Sequence, residues 1–571
     1  MSLHLNLSTG KFLNSSTLFK LSDALLLDVS SGEIVMSNLL VPRAAGVTPP
    51  PALLATLDLN FASSLSLDDA ISGNNLVTFS RASSGTYVGS DGLIKNSTVN
   101  LVTDSASANN WGVLGGGATT ASTSVCPDGS TNATRVTGSV LNDGAAKNFT
   151  AAVSGIHTAS YYARTRTGIA TIVKAAISGA TGLSVTLPAD GSWVRVVGVP
   201  SNIGAGSKYL AVRSASAAID IDVWGLQAEL GSTATDYVPT SGTIGGAPRF
   251  DHDPVTLQSL GLLIEKAQTN LLPYSEEFDQ GAWATSTVAV TPNNAVAPDG
   301  TTTADTLTAT SNNADIYDSV PTSNVTHINS IWIKRRTGTG QIRLRNPQGQ
   351  SELDITSQVT NEWKRISSSA TLPFSGGTLA FAGVKIAVSG DAVDVWGIQT
   401  EIGSFSTSYI PTSGSAVTRA ADVATIALGV DSWYNQSEGA MLMTFNVLDN
   451  SLLNQQFLGA GSATASSNTG YNYRVSTLYA VQASGASNWS STANWLTTGI
   501  LPGDNKFAFG YGPGSNATVR DGVIKETNTD TVLVEQSSAT LYILKQLSGH
   551  ISRITYYDTR LPDEELVTLT S

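Results

Sequence analysis

Val223-Trp-Gly-Leu-Gln-Ala-Glu-Leu-Gly231 returns as Val395-Trp-Gly-Ile-Gln-Thr-Glu-Ile-Gly403, and each stretch leads into a matching segment, Tyr237-Val-Pro-Thr-Ser-Gly242 or Tyr409-Ile-Pro-Thr-Ser-Gly414. Further matches lie upstream in the same order. Asn100 and Trp111 correspond to Asn270 and Trp283, Pro127-Asp-Gly-Ser-Thr131 to Pro298-Asp-Gly-Thr-Thr302, Ser160–Arg164 to Ser330–Lys334, and Trp193 to Trp363. Self-similarity at one long spacing is the mark of an internal duplication, and copies of about 145 residues have the size of one β-sandwich. Within a copy, apolar residues alternate with polar ones over short runs, as at Ile331, Ile333, Ile342 and Leu344, and Gly338-Thr-Gly340 supplies a turn. Period-two alternation broken by turn residues predicts strands. The expected fold is all-β: tandem jelly-roll or β-sandwich domains with a small N-terminal anchoring segment.

Working outward, 571 residues exceed what one core can hold, so roughly three to five domains are expected. Residues 1–50 form a short unit ending in a Pro-rich linker, Val41 to Pro51, read either as an anchor for a projecting body or as an ordinary interdomain spacer. Residues 51–99 and 243–269 read as two pieces of one β linker unit, pairing with each other around the first copy at 100–242. The second copy spans 270–416. A third sandwich fills 417–571, with a hairpin turn at Arg520-Asp-Gly-Val523 and a short helix at Pro562–Leu569. Leu65–Ala70 is the only other helical stretch expected.

Charge and composition exclude some functions. The net charge is −13 with no basic run, so phosphate neutralisation by a nucleic-acid binder is not expected. Cys126 is the single cysteine, which leaves no intramolecular disulfide. No signal peptide and no apolar span long enough for membrane insertion are read. His4, His157, His252, His327 and His550 show no ligand spacing. Asp251-His-Asp253, carboxylates flanking a histidine, has the types to bind a metal or act as a base; the favoured reading is a turn before Pro254, with Arg249 as its salt-bridge partner. No catalytic residue is identified, although paired carboxylates for glycoside cleavage leave no sequence signature.

Sugar rings stack on exposed aromatic faces. Tyr471, Tyr473, Trp489 and Trp495 stand in polar, loop-like contexts and are the candidate glycan contacts; packing against a partner subunit would suit them equally. Trp224, Trp396, Trp193 and Trp363 recur on apolar strands and are read as core. No cofactor is expected apart from a structural calcium, for which Asp128 and Asp299 with Glu276, Glu277 or Asp279 are the candidate oxygen donors; the alternative is a plain β-turn.

A family resemblance rests on an ordered set: Thr78-Phe-Ser-Arg-Ala-Ser83, Pro248-Arg-Phe-Asp-His-Asp-Pro-Val255, Gly261-Leu-Leu-Ile-Glu265, Thr269-Asn-Leu-Leu-Pro-Tyr-Ser-Glu-Glu-Phe278 and Thr418-Arg-Ala-Ala-Asp422. It resembles tailed-bacteriophage virion fibre and appendage proteins with repeated carbohydrate-binding-like jelly rolls. Its last domain resembles the laminin-G/concanavalin-A-like fold. In such proteins the Ser-Arg-Ala-Ser and Pro-Arg-Phe-Asp pieces lie close together; their separation here supports insertion of the first copy. The resemblance implies a tail or head fibre at the virion surface, made in the host cytoplasm. It further implies a homotrimer, docked on other virion proteins by its N-terminal segment and binding host-surface polysaccharide. The alternatives are a capsid or neck decoration protein and a tailspike depolymerase.

Overall fold

The structure is a computed structural model. It describes residues 54–571 except 107–109, 179, 181, 322–324, 348–351, 372–378, 429–432, 436, 449–454, 461–471, 476–503, 529–539 and 545–547, together with three strands near the N-terminus. Residues Met1–Leu54 form one unit and Ala55–Ser571 another. In the first, Phe19–Ser22, Leu25–Leu27 and Ile34–Met36 form an antiparallel three-stranded sheet.

In the second unit each repeat is a sandwich of two antiparallel sheets. In the first copy one sheet runs Ala118–Ala121, Thr134–Gly138, Ile219–Leu230, Gly155–Thr165, Val194–Val197. Its partner runs Trp111–Leu114, Gly144–Ala151, Gly206–Ser214, Thr171–Ile177, Leu183–Leu187. The second copy reproduces both orders: Val288–Ala295, Ala304–Ala309, Ala392–Ile402, Thr326–Thr337, Lys364–Thr371, and Ala284–Ser286, Ala314–Pro321, Leu379–Ile386, Ile342–Arg345, Glu352–Asp354. Each copy closes on its own apolar core between the sheets.

The repeated motifs have local causes. Gly225 and Gly397 of the Val-Trp-Gly tripeptides sit at φ +63° and +61°, and the pairing of their strands slips there, between Ser160 and Tyr162 and between Ser330 and Trp332. A bulge of this kind needs a left-handed residue, and a Cβ on Gly397 would lie 3.0 Å from the Trp332 ring. The Asn that opens each copy is a buried staple. Asn270 Nδ2 donates to the carbonyls of Ile398 and Ile410, and its Oδ1 accepts from Leu272 N and Thr400 N. Asn100 makes the same four bonds, to Leu226, Val238, Val102 and Ala228. Short ladders close the two stems: Val99–Asn100 pairs with Gly245–Gly246, and Gln268–Asn270 with Val417–Arg419.

The third sandwich draws on three separate parts of the chain. One sheet runs Phe250–His252, Ser259–Ile264, Gly549–Tyr557, Gly439–Val447, Asp504–Tyr511, Asn516–Arg520, Val523–Asn528, with Leu57–Leu59 also paired to Gly549–Tyr557. The other runs Asn472–Val475, Gln455–Ala460, Thr540–Ile543, Val423–Ala427, Val77–Ser80. The segments expected to make a linker unit of their own therefore differ from that reading. They touch each other, as where Asp251 Oδ1 accepts from Val88 N at 2.6 Å, but their longer strands complete the sheets of residues 417–571. One continuous core holds Leu57, Phe61, Phe79 and Ile264 with Trp433, Phe445, Phe509, Ile554 and Tyr556. Leu262 and Ile264 face Ile551 and Gly549 across the ladder, so burying these apolar strands requires the C-terminal sheet.

The expected hairpin is present: Arg520 pairs with Val523 across Asp521 (φ +48°) and Gly522 (φ +72°), both left-handed as a type I′ turn needs. The terminal helix runs Asp563–Thr570 with three acidic residues in its first turn. The helix expected at Leu65–Ala70 lies instead at Phe61–Ser64. Leu65, at φ +51°, ends it, and Asp68 bridges to Asn75.

A buried charge cluster joins the third sandwich to the second repeat, and four of the five resemblance motifs supply it. Asp422 binds Arg81 Nη1 at 2.7 Å and Arg249 Nη2 at 2.5 Å, and accepts the backbone N–H of Glu265 at 2.8 Å. Glu265 binds Arg249 Nη1 at 2.8 Å, lies 3.5 Å from Arg419 Nη2, and accepts from Ser408 N and Oγ. All five charged side chains are inaccessible to solvent or nearly so. Burial alone would raise the Glu265 carboxyl, but Arg419, Arg249 and the Ser408 bonds outweigh it and hold it well below the usual range. Burial pulls the Arg81 guanidinium down to about 10 despite Asp422. Arg249 is thus committed to this cluster and not, as expected, to Asp251-His-Asp253. There Asp251 pairs with His550 Nε2 at 2.8 Å, and Asp253 caps its turn through Val255 N and Thr256 N.

Candidate functional site

Tyr471, Trp489 and Trp495 lie outside the described residues, as does the side chain of Tyr473, whose backbone belongs to the strand Asn472–Val475. The recurring tryptophans divide into two kinds. Trp224 and Trp396 are buried, each in an aromatic trio: Tyr162–Trp224–Tyr237 and Trp332–Trp396–Tyr409. Trp193 and Trp363 are half-buried, with their Nε1 groups donating to Val125 O and Val296 O. Arg164 and Lys334 sit over their rings.

The proposed calcium donors are divided between the two copies. Asp128 belongs to the first copy, where it accepts from Ser130 N and Oγ. Asp299 does the same with Thr301 in the second copy, so both hold the turns of their Pro-Asp-Gly segments. Among the described residues no three His, Cys, Asp or Glu side chains are grouped as a metal ion would require.

Glu276 has another setting. It lines a cleft of about 250 Å³ with Glu277, Asp279, Asn293, Thr303, Asp305, Pro411, Thr412 and Ser413. The aromatic trio holds two of these residues from behind. Tyr409 OH donates to Glu276 Oε1 at 2.7 Å, and Trp396 Nε1 donates to Thr303 Oγ1 at 3.1 Å. Asp305 ties the rim, its two oxygens accepting from Phe278 N and Asn293 N at 2.8 Å each. Four carboxylates line a space whose wall, among the described residues, has no lysine, arginine or histidine. Burial pushes the Glu276 carboxyl up, and Asp299 and Glu277 add to the shift against the Tyr409 bond. Burial also raises Asp305, with Asp279 and Glu277 acting in the same direction against its two backbone bonds.

The first copy shares the scaffold and lacks this cleft chemistry. Ser105 Oγ meets Tyr237 OH at 2.6 Å, as Ser275 Oγ meets Tyr409 OH. The next residue is Ala106 where the second copy has Glu276. Thr134 faces Val223 in the ladder position that Asp305 occupies opposite Val395. The paired threonines diverge as well. Thr240 Oγ1 donates to Val102 O at 2.6 Å and accepts from Ser105 N at 3.0 Å. Thr412, only 5% exposed, has a backbone bond to Ser275 Oγ, but among the described residues its own Oγ1 has no hydrogen-bond partner. A buried hydroxyl without a partner is costly, whereas one with two partners stabilises. Thr240→Val is therefore expected to lower stability by about 1–2 kcal/mol, and Thr412→Val by none or to raise it slightly, in matched urea denaturations.

Sequence reasoning picked out Glu276 but not Asp305 or Thr412, which read as an ordinary strand residue and part of a repeated turn. The available signal was the difference between the copies, Glu276 against Ala106 and Asp305 against Thr134.

No family model and no curated protein matches the chain. Among solved structures it is similar to the CBM40 of Ruminococcus gnavus IT-sialidase bound to α2,3-sialyllactose, at 14% identity over 24% of this chain and 84% of that one, with a TM-score of 0.21. It is also similar to the tandem CBM22-1–CBM22-2 of Paenibacillus barcinonensis Xyn10C, at 12% identity over 53% of this chain and 96% of that one, with a TM-score of 0.22. A third similarity, to the mycobacterial arabinofuranosyltransferase AftD, covers 80% of this chain and 36% of that one at 8% identity and a TM-score of 0.15. The all-β architecture rests on the sheet orders themselves.

Proposed function

We propose that this chain is a non-catalytic glycan-binding protein whose second repeat carries a binding cleft, displayed on a phage virion as a fibre or appendage. The observation behind the binding part is the divergence of two otherwise matching sandwiches at one place. The scaffold of Asn, Ser, Tyr and Trp is kept in both, while only the second copy holds carboxylates and an unsatisfied hydroxyl around a cleft. Carboxylates and hydroxyls on a rigid β framework are suited to fixing sugar hydroxyls. The virion part of the proposal is supported by the motif set and nothing further. It includes docking on other virion proteins through residues 1–50 and assembly as a homotrimer, in which weak single sites gain avidity.

Glycan-array binding by the full chain tests the binding part. The expected result is reversible binding to a defined set of surface saccharides, with no new reducing ends released. Released reducing ends would establish a depolymerase instead. Immunogold labelling of intact virions tests location: label on fibres supports the proposal, and label confined to the capsid wall or neck would favour a decoration protein.

A further inference from the structure

We infer that the cleft of the second repeat selects saccharides carrying a free ammonium group, such as unacetylated hexosamines, over neutral and anionic ones. The inference rests on the glycan-binding reading and adds the ligand class. Glu276, Glu277, Asp279 and Asp305 line the cleft, and among the described residues no cationic side chain shares the wall. An anionic sugar entering this space would meet uncompensated like charge, which is a strong basis for exclusion. A neutral sugar could satisfy the hydroxyls but would leave the carboxylates facing one another. An ammonium group offsets part of their charge and offers them three N–H donors.

Thr412 is an independent indication that something enters. Its counterpart in the first copy has two hydrogen bonds, yet Thr412, which lines the cleft, has a buried Oγ1 with no partner among the described residues. A buried hydroxyl is expected to have a partner, and a ligand amine or hydroxyl would supply one. Burial is the main cause of the upward shifts of Glu276 and Asp305, and the neighbouring carboxylates add to it. Glu277 and Asp279 strengthen the field without the structural bonds that Glu276 and Asp305 make.

The test is isothermal titration of the full chain with three disaccharides: glucosamine dimer, its N-acetylated equivalent and a digalacturonate. The chain carries a net charge of −13, so nonspecific attraction of cations must be separated from the site. Thr412→Val leaves that charge untouched, whereas Glu277→Gln/Asp279→Asn removes two local charges. The glucosamine dimer is expected to bind at least tenfold more tightly than the acetylated dimer, with one site per chain and no detectable digalacturonate binding. Thr412→Val should weaken it several-fold, and the double variant should abolish most of the preference. Equal or tighter binding of the acetylated or anionic dimer would overturn the inference while leaving glycan binding intact. Glucosamine binding that neither variant changes would overturn it too, as would calcium filling the cleft and excluding the sugar. Failure of every saccharide, here and on the array, would overturn the underlying reading.

Discussion

Asp422→Ala is expected to remove about 3–5 kcal/mol of stability, because it leaves buried guanidinium groups without their counter-ion. Asp422 is the shared acceptor of Arg81 and Arg249 and also receives the Glu265 N–H. With Asp422 gone, Arg249 and Arg419 would share Glu265 and Arg81 would lose its carboxylate partner, in a region closed to solvent. Asp422→Asn, which keeps the shape and one acceptor, should fall between the variant and the parent. Hydrogen exchange read by mass spectrometry localises the effect. Protection should fall across Val77–Ser80, Ser259–Ile264 and Val423–Ala427, whereas Thr171–Ile177 in the first repeat should keep it. Acid should act on the same place. Glu265 has a folded-state pKa below its unfolded value, so its stabilisation is complete above the ordinary carboxylate range and declines as pH falls through that range toward the depressed value. Unchanged stability in Asp422→Ala would mean that the cluster is not a stabilising junction.

This cluster explains what the resemblance motifs do. Arg81, Arg249, Glu265, Arg419 and Asp422 are scattered over more than half the chain and converge as one ion network. The motifs could be seen in the sequence; their convergence could not, because side chains that meet only through tertiary folding leave no periodic trace. The duplication was legible for the opposite reason. Asn270, Trp396 and Tyr409 repeat because each copy must rebuild the same staple and aromatic trio from its own residues. The cleft lay between these cases. Glu276 stood out by type, but paired with Asp128 and Asp299 it suggested calcium, and both aspartates prove to be turn caps. What marked the cleft was residues that fail to repeat, and a search for repeats passes over those. The separation of two motifs suggested insertion of the first copy. That the flanking pieces complete the C-terminal sheets was not, since strand pairing across such distances has no local signature.

Phe61→Ala should destabilise the third sandwich by about 3–5 kcal/mol, although most of that sandwich lies beyond residue 417. Phe61 is fully buried and shares its core with Leu57 and Leu59, both inaccessible, and with Ile554 and Tyr556. Leu57–Leu59 is a strand of this sandwich, paired with Gly549–Tyr557, and Asp58 anchors it by accepting from Nε and Nη2 of Arg553 at 2.7 Å each. Truncating Phe61 would leave a cavity bounded by strands from both ends of the chain, and such walls relax only partially. The loss should therefore appear as reduced hydrogen-exchange protection in Gly439–Val447 and Gly549–Tyr557, with both repeats unaffected because each has a separate core. A fragment starting at residue 417 tests the same dependence more severely. It lacks Leu57–Leu59, Val77–Ser80, Phe250–His252 and Ser259–Ile264, which opens one edge of each sheet and exposes the core. It is expected to be unfolded or aggregated on expression. A soluble, cooperatively folded fragment would show that the upstream strands are accessory, and that the repeats are appended to an independent domain rather than inserted into one.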